Sequence, residues 1–193
     1  MKLNRRTVLT SAALAATLPQ AFAQGRKDAV VLGMALEPPG LDPTAGAAAA
    51  IAEIVHYNVL ETLTKINSDG TVSPLLAESW EVSPDLKTYT FKLRRGVKFQ
   101  NGEPFNANTV KFSFERAAGE KSTNKDKRTF ASMERVGVVD EHTVVVINKE
   151  LNPDFLFLMG QATAVIVEPK SADTNATKPV LSLIHISEPT RPY

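Results

Sequence analysis

The 193-residue chain contains no cysteine, one tryptophan and three histidines, and aromatic residues make up only 7% of it. Without cysteine it can form neither a disulfide framework nor a cysteine-ligated zinc site, so the fold depends on packing alone. Its composition, 43% apolar and 22% charged, is that of a globular protein with enough apolar material for a core.

The chain also lacks a large excess of either positive or negative charge, because its formal net charge is only +1. Basic residues cluster at the start of the chain, and outside residues 1–23 and 181–193 acidic residues slightly outnumber basic ones. This balance argues against nucleic acid or an anionic membrane surface as a partner. The basic residues between Lys121 and Arg128 are interleaved with polar residues, which predicts a solvated loop rather than a phosphate site.

Motifs of catalysis and of cofactor binding are missing as well. The sequence has no G-x-S-x-G elbow, phosphate-binding loop, G-x-G-x-x-G fingerprint or H-E-x-x-H pair. His56 and His142 are far apart, and a single histidine on a helix face is more often structural than catalytic. We therefore predict no catalytic residue, no cofactor and no metal ligand, and an enzyme is a remote alternative.

The N-terminal segment has the three parts of an export signal. A basic start precedes an apolar run, Val8–Leu18, that is too short to span a bilayer as a stable anchor. Small residues at Ala21 and Ala23 predict cleavage before Gln24. Residues 1–23 are therefore predicted to be a signal peptide.

Arg5 and Arg6 within this segment favour the twin-arginine route, and an ordinary secretory signal is the alternative. Both routes lead to the periplasm of a bacterium or to the outside of the cell. Because no cysteine lies at the cleavage site, a lipid anchor is excluded.

Periodicity and turn signals predict a mixed order of helices and strands along the mature chain, which is typical of an α/β or α+β fold. The predicted elements are a helix Ala47–Leu60, a strand burying Tyr89, Phe91 and Leu93, a helix capped by Asn106 and ended by Gly119, a hairpin around Asp140–His142, a short helix from Pro153, and a buried strand Ala164–Val167.

One block, Leu76–Arg116, resembles the signature region of family 5 extracellular solute-binding proteins. These are the dipeptide, oligopeptide, glutathione and nickel receptors of ATP-binding cassette importers. "EPPGLDP" (Glu37–Pro43) and "NVLETLTKI" (Asn58–Ile66) match the family at the right spacing, and the resemblance runs from about residue 29 to residue 180. The chain departs mildly at Gln100-Asn101, which lie in a predicted turn.

The resemblance implies an α/β fold of the periplasmic binding protein type II kind, incomplete in this chain, in which two lobes close over a ligand. Residues 24–61 would start lobe one, residues 62–162 would form an inserted α+β domain, and residues 163–180 would return to lobe one. The implied partners are a small peptide-like solute and an inner-membrane permease. The implied location is the periplasm, with no membrane anchor of its own.

In oligopeptide-binding relatives, the segment after the Leu-Asp-Pro motif lines the ligand cavity. Carried over to this sequence, it is Thr44–Ala50, and the candidate ligand-binding residues are Thr44, Gly46, Ala47 and Ala49. The alanines predict a roomy wall of low polarity, with ligand charge recognised elsewhere. The alternative interpretation of this segment is a plain helix start.

The last segment, residues 181–193, does not resemble the family. "LSLIHISEPTR" is similar to the in-frame translation of a transposase-type sequencing adapter, and a true strand or partner-binding motif is the alternative. We therefore expect a receptor present as an N-terminal fragment. The second hypothesis is a stand-alone periplasmic interaction or chaperone-like module.

Overall fold

The computed structural model describes residues 33, 35–46, 48–174 and 184–185. The predicted signal peptide, Ala47 and most of the 181–193 segment lie outside the described residues. The chain divides into two compact units, residues 1–35 and 36–193, and every element below belongs to the second.

The elements follow one another in a mixed order of short helices and strands. In chain order they are α1 (Ala49–Val55), β1 (Thr64–Ile66), β2 (Val72–Pro74), β3 (Ala77–Val82), β4 (Thr88–Leu93), β5 (Val97–Lys98), α2 (Ala107–Ala118), α3 (Lys127–Ala131), β6 (Met133–Asp140), β7 (Thr143–Asn148), α4 (Phe155–Leu158), a 3-10 turn (Ala162–Ala164) and β8 (Ile184–His185). Among the described residues, none of the helices has the length and apolarity that crossing a bilayer requires.

The main sheet has four antiparallel strands in the order β3-β4-β7-β6. The predicted alternation on β4 is confirmed, because Tyr89, Phe91 and Leu93 are each at most 2% exposed while their neighbours are not buried. The predicted hairpin is confirmed as β6 and β7. Strands β1 and β2 form a separate hairpin, and β5 pairs with β8 through Val97 and His185.

Helix α2 packs on the inner face of this sheet against β6 and β7. Its predicted start is confirmed, since the Asn106 side chain accepts hydrogen bonds from the backbone N–H groups of Asn108 and Thr109. The Thr109 side chain bonds back to the Asn106 N–H, which completes a capping box. Gly119 ends the helix, as predicted.

Two turns that flank β5 depend on glycine. Gly96 and Gly102 have φ angles of 71° and 85°, in the left-handed region that side chains with a Cβ rarely adopt. Gly96 follows β4, and Gly102 lies in the Asn-Gly-x-Pro-Phe turn that leads to α2. Both turns therefore use backbone angles that glycine adopts without strain.

The buried side chains form two clusters. The larger lies between the sheet and α2, α3 and α4 and includes Phe91, Phe114 and Phe130. The buried members of the smaller cluster, among them Val55, come only from residues before 62 and after 162. The domain boundaries at 61/62 and 162/163 stay predictions, but these two stretches share a core of their own.

Two sequence predictions fail in detail. The helix expected to reach Leu60 ends at Val55, because Tyr57 adopts a φ of 63° and its backbone N–H bonds the Leu60 carbonyl. The strand expected at Ala164–Val167 is buried but forms no strand pairing within the described part of the chain. It is held instead by isolated hydrogen bonds, such as the one that the Ile166 N–H donates to the Glu61 carbonyl at 2.9 Å.

Candidate functional site

The turn that follows the Leu-Asp-Pro motif is organised by a buried carboxylate. Asp42 is 2% exposed, and its Oδ1 accepts hydrogen bonds from the Thr44 N–H at 2.8 Å and from the Thr44 hydroxyl at 2.5 Å. Pro43 removes a backbone donor between them and biases Asp42 away from helical geometry. The motif therefore folds as a turn closed by its own aspartate, with α1 beginning shortly after it.

Arg116, in the last turn of α2, reaches across to this turn. Its Nη1 donates to the Thr44 hydroxyl at 2.5 Å, and its Nη2 lies 3.3 Å from Asp42 Oδ2. A third bond runs from Nη2 to the Ala172 carbonyl at 3.0 Å. We call Asp42, Thr44, Arg116 and Ala172 the arginine latch, because the guanidinium joins three segments that are far apart in sequence.

The segment that carries Ala172 is itself folded by a buried carboxylate. Glu168 is 3% exposed, and its two oxygens accept the backbone N–H groups of Lys170 and Ser171 at 2.9 and 2.8 Å. Just before it, the Val167 N–H donates to the Ser113 hydroxyl of α2 at 3.0 Å. These bonds fix the 167–172 segment against α2 and aim the Ala172 carbonyl at the latch.

A cavity of about 470 Å³ opens beside the latch. Thr44 and Ala45 line one side, and the Thr123 hydroxyl bonds the Ala45 carbonyl at 2.9 Å and so ties the 119–123 loop to that side. The full lining is Thr44, Ala45, Arg116, Gly119, Glu120, Lys121, Ser122, Thr123 and Asp173. The lining residues include three with hydroxyls and side chains of both charges.

The charged side chains of this lining differ in whether they have a charged partner. Arg116 is committed to the latch by its three hydrogen bonds. Among the described residues, no ion pair involves the exposed side chains of Glu120, Lys121 or Asp173. The cavity thus offers one ammonium and two carboxylates that have no charged partner in this part of the protein.

The four predicted ligand-binding residues do not share one position. Thr44 lines the cavity, although it is 7% exposed and its hydroxyl is bonded on both sides within the latch. Gly46 is a packing position, because a Cβ there would come within 2.7 Å of Ile51 Cδ1. Ala49 is exposed at the first turn of α1, and Ala47 lies outside the described residues. Contact of any of them with a ligand stays a prediction.

Sequence reasoning missed the part of the site that lies on α2 and the loop after it. The alanine-rich wall of low polarity expected at Thr44–Ala50 stays a prediction, and the cavity beside Thr44 also carries Glu120, Lys121 and Asp173. Arg116 closes the recognised signature block, and Asp42 sits in the recognised Leu-Asp-Pro motif, so both residues were visible. Their pairing was not, because 74 residues separate them.

The described residues were also compared with the requirements of a metal site. Within the ranges that the structure describes, no group of three or more histidine, aspartate or glutamate side chains could hold a metal ion. His56 lies elsewhere, stacked on Tyr57 with ring centroids 3.7 Å apart. Burial lowers the pKa of His56 below its usual value, against a smaller opposing effect of the Gly160 carbonyl.

The profile of "Bacterial extracellular solute-binding proteins, family 5 Middle" matches residues 71–182, more than half of the chain. The chain belongs to this family. The matched span contains β3, β4, α2 and the loop that lines the cavity. The expectation drawn from the Leu76–Arg116 block is therefore confirmed.

Relatives with a known name or structure agree with this assignment. Di/tripeptide-binding protein 1 of Pseudomonas aeruginosa is 36% identical over 166 residues, covering 77% of this chain and 30% of the relative. The structure of the periplasmic binding protein AgaA of A. tumefaciens R10 in complex with agropinic acid is 31% identical, with a TM-score of 0.67, and the match covers 74% of this chain and 29% of that one.

Haemophilus influenzae OppA in complex with the peptide RPPGFSPFR is 25% identical, with a TM-score of 0.65 over 72% of this chain and 30% of that chain. These neighbours confirm the fold of family 5 periplasmic binding proteins. The chain spans about a third of the length of the curated relatives that it matches.

Proposed function

We propose that the chain is part of the periplasmic substrate-binding component of an ATP-binding cassette importer for peptides or peptide-like solutes. Its relatives are solute-binding proteins, and the ligands in their names and complexes are di- and tripeptides, glutathione and a nonapeptide. The observation that supports the proposal is the cavity beside Thr44, a residue of the segment that the family resemblance predicts to line the ligand cavity.

The chemistry of the cavity suits such a ligand. A peptide-like solute carries an ammonium and a carboxylate. In the lining, Lys121 is opposite in charge to the carboxylate, and Glu120 and Asp173 are opposite in charge to the ammonium. Ordered hydroxyls such as Thr123 add neutral donors and acceptors. A few convergent polar groups in a concave site are what fixes the orientation of a small ligand.

The arginine latch gives this wall its shape. Arg116 holds the 42–45 turn and the 168–173 turn against the end of α2, so Thr44 and Asp173 face the same cavity. A wall held in advance loses less entropy when the ligand binds. In the proposed mechanism, the solute bridges this wall and a second lobe, closes the two about a hinge and is handed unchanged to an inner-membrane permease.

A chimera tests the proposal without requiring this chain to act alone. Residues 36–174 would replace the matching segment of the Pseudomonas di/tripeptide-binding protein, and calorimetry would measure its binding of dipeptides, tripeptides and glutathione. We expect the chimera to bind at least one of these solutes, and its Lys121→Ala variant to bind more weakly. The matched control is Lys125→Ala, an exposed lysine of the same polar stretch that does not line the cavity.

A chimera that unfolds cooperatively but binds none of these solutes would refute the proposal. The stand-alone interaction module would then be the remaining prediction. Equal loss of affinity from Lys121→Ala and Lys125→Ala would instead place solute recognition outside the cavity.

The predicted export route needs a separate measurement. Residues 1–35 fused to a reporter that is active only after folding in the cytoplasm should deliver it to the periplasm. Replacing Arg5 and Arg6 by lysine should abolish that delivery if the route is twin-arginine. Delivery of an inactive reporter to the periplasm by both fusions would identify the ordinary secretory route, because that route exports unfolded chains, and retention of both fusions in the cytoplasm would contradict export.

A further inference from the structure

The loop between α2 and α3, residues 119–126, carries two charged side chains of the cavity lining, Glu120 and Lys121. No helix or strand falls within these eight residues, all of which the structure describes. A segment without secondary structure keeps one conformation only through contacts with other parts of the fold. The contacts that hold this loop therefore determine where the two charges stand.

Asn124 anchors the loop from the interior of the protein. It is only 4% exposed, and its Nδ2 donates a hydrogen bond to the Thr163 carbonyl at 3.0 Å. Its Oδ1 accepts the backbone N–H of Asp126 at 2.9 Å. The two ends of the amide thus join the loop to a segment 39 residues away and order the turn before α3.

Thr163 is bound by the loop a second time. Its hydroxyl donates to Asp126 Oδ2 at 2.7 Å, and Thr163 is itself 3% exposed. We call Asn124, Asp126 and Thr163 the loop clamp. None of the three is among the residues that line the cavity beside Thr44, so the clamp can affect a solute there only through the loop.

A second contact of the loop is more open to solvent. The bond from the Thr123 hydroxyl to the Ala45 carbonyl at 2.9 Å is exposed, so water can replace either partner. The bond between Asn124 and Thr163 is buried, and its loss would leave a buried carbonyl without a partner. Because an unsatisfied buried group costs more than a lost surface bond, Asn124 is the stronger anchor.

Both contacts join the loop to the same part of the protein. Ala45 lies before residue 62 and Thr163 lies after residue 162, in the two stretches whose buried side chains form the smaller cluster. Thr44 belongs to the first of these stretches. While the clamp is closed, Lys121 therefore keeps a fixed position relative to Thr44 across the cavity.

We propose that Asn124 is a positioning residue for solute binding. Together with Asp126 it clamps the loop after α2 to Thr163 and so holds Glu120 and Lys121 at the cavity. The role in binding rests on the proposed function, whereas the clamp itself does not. With the clamp open, the cavity would keep its lining residues but present them in one arrangement for only a fraction of the time, and affinity falls by that fraction.

Limited proteolysis of the full chain tests the clamp without a solute. Trypsin can cut after Lys121 when the loop opens locally, and after Lys92 in β4, which has a strand on each side, only when the sheet opens. We expect Asn124→Ala to raise the initial rate of cutting after Lys121 at least about tenfold relative to Lys92, the effect of losing one buried hydrogen bond. The matched control is Asn67→Ala, which removes an amide with two side-chain hydrogen bonds in the turn between β1 and β2 and should leave the ratio unchanged.

Two outcomes of the digestion would overturn the proposal. An equal rise after Lys121 and Lys92 would show that Asn124 supports the fold as a whole rather than the loop. An unchanged rate after Lys121 would show that other contacts hold the loop.

Binding by the chimera described above tests the effect on a solute. Asp126→Asn removes the charge but keeps an oxygen that can accept the Thr163 hydroxyl, whereas Asp126→Ala removes both. We expect Asn124→Ala and Asp126→Ala to weaken binding about tenfold, as for a loop in place about a tenth of the time, and Asp126→Asn to bind like the parent chimera.

Undiminished binding by the Asn124→Ala chimera, or an equal loss from Asp126→Ala and Asp126→Asn, would overturn the positioning role. A parent chimera that binds no solute would refute the proposed function and the positioning role together. The digestion of the full chain would still decide whether the clamp holds the loop, so the two failures are distinguishable.

Discussion

Arg116→Met is expected to destabilise the protein through the carboxylate that it leaves behind. The side chain of Asp42 is 2% exposed and that of Arg116 is 26% exposed, so the substitution removes the countercharge of a buried acid together with three hydrogen bonds. Breaking a buried ion pair on one side costs about 3–5 kcal/mol. Partial exposure of the guanidinium screens the pair, which reduces the expected loss to about 2–3 kcal/mol.

Urea unfolding and thermal melts would measure this loss. For a unit of this size the expected free-energy change corresponds to a fall in Tm of about 4–12 °C. Arg95→Met is the matched control, because Arg95 is exposed in the loop after β4 and belongs to no ion pair of the described residues. If the two variants differ by less than about 0.5 kcal/mol, the usual effect of a surface change, the latch does not stabilise the fold.

A double-mutant cycle isolates the charge from the packing. Asp42→Asn keeps the oxygen that accepts the Thr44 N–H but removes the charge, so Arg116→Met should cost less in that background. We expect a coupling of about 1–2 kcal/mol between the two positions. Additive free-energy changes would show that the guanidinium stabilises the turn through Thr44 and Ala172 alone.

Three further predictions concern the scaffold around the site. Gly160→Ala should cost about 1–3 kcal/mol of unfolding free energy, since its Cβ would lie 2.9 Å from Ile66 Cγ1, whereas Gly137→Ala, with only ordinary contacts, should cost less. Asn106→Ala should cost about 1 kcal/mol through loss of the α2 cap, and an unchanged urea midpoint would contradict the capping box. His56 has a lowered pKa, so the unfolded chain binds the proton more tightly and stability should fall as pH drops below about 6.5. His56→Gln should flatten this dependence between pH 7.5 and 5.5, and the same slope in both proteins would refute it.

Local signals predicted the elements that local forces determine. Asn106 caps α2 because its side chain reaches N–H groups two and three residues ahead, and the Tyr-x-Phe-x-Leu alternation buries one face of β4 wherever the strand is placed. Both patterns are complete within a few residues of sequence. For this reason the hairpin and the capped helix could be predicted without knowledge of the rest of the chain.

Long-range requirements explain what the sequence did not predict. Tyr57 leaves helical geometry so that its hydroxyl can donate to the Gly160 carbonyl at 2.8 Å and accept the Ile66 N–H at 2.9 Å. Tyrosine has no preference for a positive φ, so no local signal ends the helix at Val55. The Arg116–Asp42 ion pair could not be predicted for the same reason, because 74 residues separate its two partners in the sequence.

The arginine latch also bears on which residues of the proposed ligand wall would distinguish one solute from another. Thr44 is the predicted ligand residue nearest the cavity, but its hydroxyl already donates to Asp42 and accepts from Arg116. A ligand group that bonded this hydroxyl would have to compete with a charge-assisted bond, which is stronger than a neutral one. Under the proposed function, discrimination at this wall would therefore fall to the lining groups that make no such bond, above all the ammonium of Lys121 and the carboxylate of Asp173. Relatives that share the Leu-Asp-Pro turn and the arginine should thus keep the same wall shape, and they should differ in solute according to the side chains of the loop after α2.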